Sequence, residues 1–433
     1  MPFTLQKLTR AVILAIGIAS APLAQAQTGT PYQFELLVPD YDDYDDYDEW
    51  MSAPIEQATP LDGYLTRQAT TLNGLRVAQV LEPALIRLLE SGELTSEQIK
   101  ELESFNEALM QQPGGVGAAL EQLAGSQNAN LAAATQNITQ QLGSQLLSTL
   151  RALPTNDDAH VWVQGLGQDG RLDKQGGSAG LKYANRGLLT GADWALDHAW
   201  RIGVMGAKST SRLDAQRFSA DLDSWHLGGY AVHQDGPLGL RLGAIYSRHA
   251  GQNKRSVQLL DNKQQLKGDY KAQSQTLFSE VGYQLGSADL SIEPFGGLGY
   301  QRYHRDRFQE KGGLAALNVG SQTQQNLNST LGLRLASQYR FDNQVRLIPH
   351  ISADWKRLYG KVDSRVRQSY RYMPFAIDDF TLVGASLDRN SLNWQAGLDL
   401  ALSPQHTVGL AYQGEAGTNS HSQGLMGQWQ MRF

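Results

Sequence analysis

The densest run of chemistry-bearing side chains is "DYDDYDDYDEW", Asp40 to Trp50, which carries seven carboxylates. Clustered hard oxygens are what Ca2+ prefers, and Asp42, Asp43, Asp45 and Asp46 would be its ligands. The run lacks the glycine-turned loop of an EF-hand. Its composition suits a solvated, disordered segment better, so no metal site is expected. "GLGQDG", Gly165 to Gly170, matches GxGxxG. A dinucleotide site needs that loop between a strand and a helix, whereas here the surroundings predict a strand-to-strand turn. The nine His are scattered without HExxH spacing, and no GxSxG elbow occurs. There is no Cys, hence no disulfide and no thiolate ligand. A net charge of −6 does not suit a nucleic-acid binder. The sequence therefore predicts no catalytic residue and no cofactor.

The elements that frame these residues are more informative. Lys7 and Arg10 lead into "AVILAIGIAS" and then "APLAQAQ", the three parts of a secretory signal. Cleavage is expected between Ala26 and Gln27, with Ala24 at −3. No later stretch approaches the apolar length of a membrane-spanning helix. From about residue 72 to 152 the period is helical. In "TSEQIKELESFNEALMQQ" Ile99, Leu102, Phe105 and Leu109 recur at three- and four-residue steps, and "PGG" at Pro113 ends that helix. A last helix is predicted from about Ala129 to Ala152, with Leu131, Ile138, Leu142, Leu146 and Leu150 on one side. From Ser126 to Leu150 it has no charge but many Gln, Asn, Ser and Thr, so it could enter a polar lumen without burying an unpaired ion.

From about Asp158 onward the period becomes two. In "SLNWQAGLDLAL" Leu392, Trp394, Ala396, Leu398, Leu400 and Leu402 share one face. "LGLRLASQYRF", "VRLIPHISADW" and "TLFSEVGYQL" read the same way. About twelve such segments of roughly ten residues each match a tilted bilayer crossing. The fold class expected is an all-β transmembrane barrel of about twelve antiparallel strands, preceded by a helical linker that enters the pore. Asp193, Glu280, Arg334, Arg346, Asp354 and Asp399 fall on the polar phase and are the pore-facing candidates. Trp200, Tyr246, Tyr300, Tyr339, Trp355 and Tyr412 fall toward segment ends, as interfacial girdles require. In the closing "GLMGQWQMRF", Leu425, Trp429, Met431 and Phe433 alternate with polar neighbours and would face lipid. Pro294 and Pro349 lie inside predicted strands, where a missing N–H removes a ladder bond.

"VWVQGLG", "GLKYANRGLLTGADWAL", "WRIGVMGAKSTSRL", "IEPFGGLGYQRY", "IPHISADW" and the terminal "QWQMRF", in this order, resemble the translocator barrel of type V autotransporters, self-secreting proteins of Gram-negative outer membranes. The resemblance implies a pore helix at about Thr135 to Leu153 and tolerance of prolines at Pro294 and Pro349. It also implies that Leu425, Trp429, Met431 and Phe433 form the signal read by the barrel-assembly machinery. The organisation expected is a signal peptide (1–26), a short acidic segment, disordered as a passenger (27–71), a helical linker module (72–157) and the barrel (158–433). The implied function is export and anchoring of the chain's own amino-terminal segment at the cell surface, without enzymatic activity. The alternative is an outer-membrane pore plugged by its helix. The partners implied are the outer-membrane bilayer, the assembly machinery and periplasmic chaperones, with no nucleic acid and a monomeric state.

Overall fold

The structure, a computed structural model, describes residues 63–90, 100, 104, 111–153, 159–175, 177–259, 262–287, 289–341, 345–372 and 377–433. The signal, its cleavage residues Ala24, Ala26 and Gln27, and the Asp42, Asp43, Asp45 and Asp46 cluster lie outside the described residues, as does most of the helix expected after Thr95.

Twelve long strands form the wall. They are β1 (His160–Leu172), β2 (Leu181–Ala195), β3 (Trp200–Ala215), β4 (Phe218–Asp235), β5 (Leu238–Leu259) and β6 (Asn262–Tyr283), then β8 (Leu290–Arg305), β11 (Gln322–Ser337), β13 (Arg346–Gly360), β16 (Asn390–Ala401), β17 (His406–Gly417) and β18 (Ser420–Arg432). Six short strands accompany them: β7 (Leu285–Gly286) and β12 (Tyr339–Arg340) at one end, and β9 (Phe308–Lys311), β10 (Leu317–Val319), β14 (Arg365–Tyr370) and β15 (Phe380–Val383) at the other. Each wall strand pairs antiparallel with its predecessor. β1 also pairs with β18, setting Val163 against Trp429 and Gly167 against Leu425, so the sheet closes. A closed antiparallel sheet leaves no unpaired edge, and only such a sheet can stand in hydrocarbon.

Side-chain burial separates this wall from a soluble sandwich. Leu227, Leu298 and Leu331 are about two-thirds exposed (68%, 67% and 67%), while Asp193, Gln164 and Arg305 are wholly buried. Apolar residues face outward and polar residues inward, the inversion that a lipid solvent and a polar lumen together demand.

The two prolines now have a physical account. Pro294 lies in β8 at the level of Tyr283. There the ladder between β8 and the preceding strand is interrupted, resuming with Leu285 opposite Ile292. Pro349 in β13 interrupts the ladder to β11 in the same way, and pairing resumes with Tyr339 opposite Leu347. Each missing N–H therefore splits the neighbouring strand into a long piece and a two-residue piece. Toward the other neighbour both ladders run on, through Leu333 opposite Pro294 and Leu398 opposite Pro349.

The ends of the barrel differ. One has short turns, such as Asp197 to Ala199 between β2 and β3, where the Asp197 carboxylate accepts N–H bonds of 2.8 Å from Ala199 and Trp200. Those two bonds hold its carboxyl below the usual range. The other end carries the long connections 306–321 and 361–389, which contain β9, β10, β14 and β15. At that end β3 and β4 are joined by a tight turn, and the strands are long, 22 residues each for β5 and β6. Ten residues per strand was therefore an underestimate, because the hairpins continue past the bilayer with the same alternation. This displaces the expected girdle: Tyr246 and Tyr300 lie within strands rather than at their ends. The step from Gln275, opposite Tyr246, to Tyr283 at the short-turn end rises roughly 20 Å for tilted strands, close to the height of an apolar band. A second correction concerns Gly165–Gly170, which lie inside β1 and not in a turn.

Among the described residues four helices with stated bounds precede the wall: α1 (Tyr64–Gln68), α2 (Leu72–Glu90), α3 (Gly115–Ala124) and α4 (Gln127–Ala152). The first of these falls in the stretch expected to be disordered. Its start is capped from a distance, since Glu82 accepts from the N–H of Leu65 (3.1 Å) and Thr66 (3.4 Å), and Leu65 is buried. Leu65, Leu81, Leu120 and Leu123 join Leu213, Phe218, Leu266, Phe308, Leu317 and Leu382 in one apolar core at the long-loop end.

Because Leu331 is outward-facing near mid-wall, Leu331→Arg should destabilise the barrel by about 2–4 kcal/mol in urea titrations from vesicles. Equal stability of the variant and the parent would contradict the assignment of this face to lipid.

Candidate functional site

The lumen is occupied by α4, whose 26 residues span about 39 Å. Most of the helix is buried on every side, including Asn128, Asn130, Gln136 and Gln145. An uncharged polar helix suits this position because each amide and hydroxyl can meet a wall partner without an ion to desolvate. Leu142, Leu146 and Leu150 form its apolar stripe and pack on Trp162, Leu166, Leu189 and Met205 of β1, β2 and β3.

The polar contacts run the full length. At the long-loop end Asn128 Nδ2 donates to Glu310 Oε1 and Gln368 Oε1, both at 3.1 Å, and its carbonyl accepts from Arg305. Glu310 is held in turn by Arg255 at 2.6 Å, with both side chains buried. Asn130 Oδ1 accepts from Ala385 N (2.7 Å) and Ser178 Oγ (2.9 Å). Midway, Gln301 Nε2 donates to the Gln136 carbonyl at 3.0 Å, and Gln141 bonds Ser422. Lower down, Thr149 donates to Gln164 (3.1 Å) and Ser148 accepts from Gln395 (2.7 Å).

The short-turn end of the helix meets a charge network. Arg151, in its last turn, pairs with Glu280 on β6, with Nε to Oε1 at 2.9 Å. Arg241 on β5 bridges Glu280 (3.2 Å) and Glu293 (2.9 Å), and Arg334 on β11 also pairs with Glu293. The guanidinium carbons of Arg151 and Arg334 each lie 5.0 Å from the Phe295 ring centre. A cation in the last helical turn also opposes the partial negative charge of the helix end.

The other expected pore residues also line the interior, although not as one cluster. Asp193 is fully buried and accepts from Arg201 Nε (2.8 Å) and Tyr230 Oη (3.0 Å), while Trp162 Nε1 donates to Tyr230 Oη at 2.8 Å. The Tyr230 ring lies over Gly203, where an added Cβ would come within 2.3 Å of it. Asp399 accepts from Gln428 at 3.0 Å and lies 3.5 Å from His350 Nε2. Asp354 accepts from Asn393 at 2.8 Å. Arg346 is exposed and lines a cavity of about 310 Å³ at the short-turn mouth, together with Arg151, His350 and Asp399. Leu425, Trp429 and Phe433 are exposed on the outer face, and Met431 is half-buried.

Sequence reasoning missed a seam of histidines. His226 bonds Ser209 (3.0 Å) and Ser247 (2.7 Å), and His249 bonds Ser224 (2.7 Å) and Ser274 (2.9 Å). Both ring nitrogens of each imidazole are thus engaged by serines on flanking strands, and all six side chains are buried. The signal available in sequence was Ser and His sharing the inward phase of four successive strands.

Residues 161–413 match the family described as the autotransporter beta-domain. The chain is similar to an extracellular serine protease of Serratia marcescens, 28% identical over 301 residues, or 69% of this chain and 28% of that protein. It is also similar to an uncharacterised protein from the trpE–trpG intergenic region of Pseudomonas putida, 25% identical over 48% of this chain and 35% of that one. The chain therefore aligns with about a third or less of the length of these relatives. Among solved structures, the translocator domain of the autotransporter NalP from Neisseria meningitidis superposes with a TM-score of 0.58 at 17% identity, covering 70% of this chain and 99% of that one.

Glu280→Gln should leave Arg151 buried without its closest carboxylate, at a cost of about 3–5 kcal/mol in unfolding titrations. Replacing Arg151 by Met in the same background should recover part of that loss. A single variant as stable as the parent would mean that the pair does not hold the helix.

Proposed function

This chain belongs to the autotransporter family, an integral outer-membrane barrel with a translocator role, and on that premise we propose that it exports and anchors the segment upstream of its own pore helix. One observation carries the reading. The helix α4 fills the lumen with its amino end at the long-loop side, and α1 to α3 pack at that same side. Outer-membrane barrels have short periplasmic turns and longer extracellular loops, so α1 to α3 lie on the side that this reading assigns to the cell surface.

The wall and the helix are complementary in chemistry, which supports α4 as the resident plug after export. Transport in this reading draws on folding of the barrel and of the exported segment. We assign no reaction to the chain; the protease activity in the Serratia name belongs to that protein. The terminal alternation of Leu425, Trp429, Met431 and Phe433 on the lipid face supports recognition by the barrel-assembly machinery. Delivery by periplasmic chaperones and a monomeric state complete the proposal.

An epitope inserted ahead of Tyr64 should bind antibody on intact cells and be lost on protease shaving, while the barrel survives and stays heat-modifiable on a gel. An epitope reachable only after the outer membrane is opened would refute surface display and favour a periplasmic plug.

A further inference from the structure

The outer face of the wall is not uniform. Across β2 to β5 the register sets Leu188, Lys208, Trp225 and Arg248 side by side in one row. One row toward the short-turn end, Thr190, Gly206, Leu227 and Tyr246 are aligned. Gly206 has no side chain, and the two rows enclose a groove of about 550 Å³. Its flanks, Leu188, Leu227 and Trp225, are 56%, 68% and 64% exposed. Lys208 Nζ lies 5.2 Å from the Trp225 ring centre, and Arg248 donates to Tyr246 Oη at 3.3 Å.

One row further out stand Arg186, Thr210, Asp223, Ala250 and, on β6, Lys271. Over these two rows four cations face a single carboxylate. Two of the four, Lys208 and Arg248, rest on aromatic rings, Trp225 and Tyr246. This group sits at the upper aromatic level, where the apolar band gives way to the headgroups. Long basic side chains at that height extend their charge to the interface.

We propose that this groove holds one phosphate-bearing, acylated lipid of the outer leaflet. An acyl chain lies along Gly206 between Leu188 and Leu227, and the phosphate sits between Lys208 and Arg248. Aromatic rings that already carry the two cations pre-order them, so less side-chain freedom is lost on binding. Zwitterionic lipids offer the same chain but compensate their own phosphate, and would bind less tightly.

The test uses the full chain extracted in non-ionic detergent, titrated with bis-phosphorylated lipid A and followed by native mass spectrometry. Two variants separate charge from shape. Lys208→Gln with Arg248→Gln removes the cations. Gly206→Leu fills the groove, and it should fold because a Cβ at Gly206 meets nothing within 4 Å. Heat-modifiable migration checks folding in each case. The parent should hold the lipid about tenfold more tightly than either variant. Phosphate-free lipid A should bind the parent and the charge variant alike, and inorganic phosphate should not displace the acylated lipid. Equal affinity of the parent and both variants would overturn the site. Displacement by inorganic phosphate alone would overturn the lipid as its occupant.

Discussion

A sheet standing in hydrocarbon must pair every backbone N–H and C=O with itself, and the pairing of β18 with β1 is what lets this one do so. The rest of the molecule is arranged around that closure. Because the sheet has no edge, its two faces meet two different solvents. Strand alternation then sorts leucines to the outside and Asp, Glu, Arg, Gln and Ser to the inside. The two prolines test the rule. Each removes one donor, and each lies near the short-turn end, where the ladder is about to finish and the preceding strand can be cut short at little cost.

A closed wall creates a second requirement, since its polar interior needs partners. The helix α4 supplies them without bringing charge into the middle of the lumen. Its only cation, Arg151, is at the end, where Glu280 waits among Arg241, Arg334 and Glu293. Glu280, Arg241 and Arg334 are buried and Arg151 and Glu293 are largely so, so no single member can be lost cheaply. At the opposite end the helix brings only amides, Asn128 and Asn130, and the charges come from the wall, where Glu310 is paired with Arg255 and Arg305 donates to the Asn128 carbonyl.

Much of this was legible in the residues. Period-two alternation, with Leu on one phase and charge on the other, predicts the wall and places Glu280, Arg334 and Asp399 on its inner face. An uncharged run from Ser126 to Leu150 with both a Leu stripe and many amides predicts a helix in a wet enclosure. Strand length was not legible, because the hairpins β3–β4 and β5–β6 keep the same period as they leave the membrane. Nor was the cap on α1, since Glu82 is 17 residues from Leu65 and the contact exists only once α2 folds back. The partners of Asp193 were hidden for the same reason. Arg201 and Tyr230 reach it through registers of neighbouring strands, which spacing along the chain does not encode.

The serine–histidine seam on β3 to β6 divides the interior into two kinds of surface. Along the seam the four serines and two histidines of β3 to β6 satisfy one another, so these six side chains need nothing from the lumen. Elsewhere Gln164, Gln301 and Gln395 find their partners on the helix. The seam stays paired whatever length of chain lies beside it, whereas Glu280 on β6 and the three glutamines are completed only by the segment at rest inside.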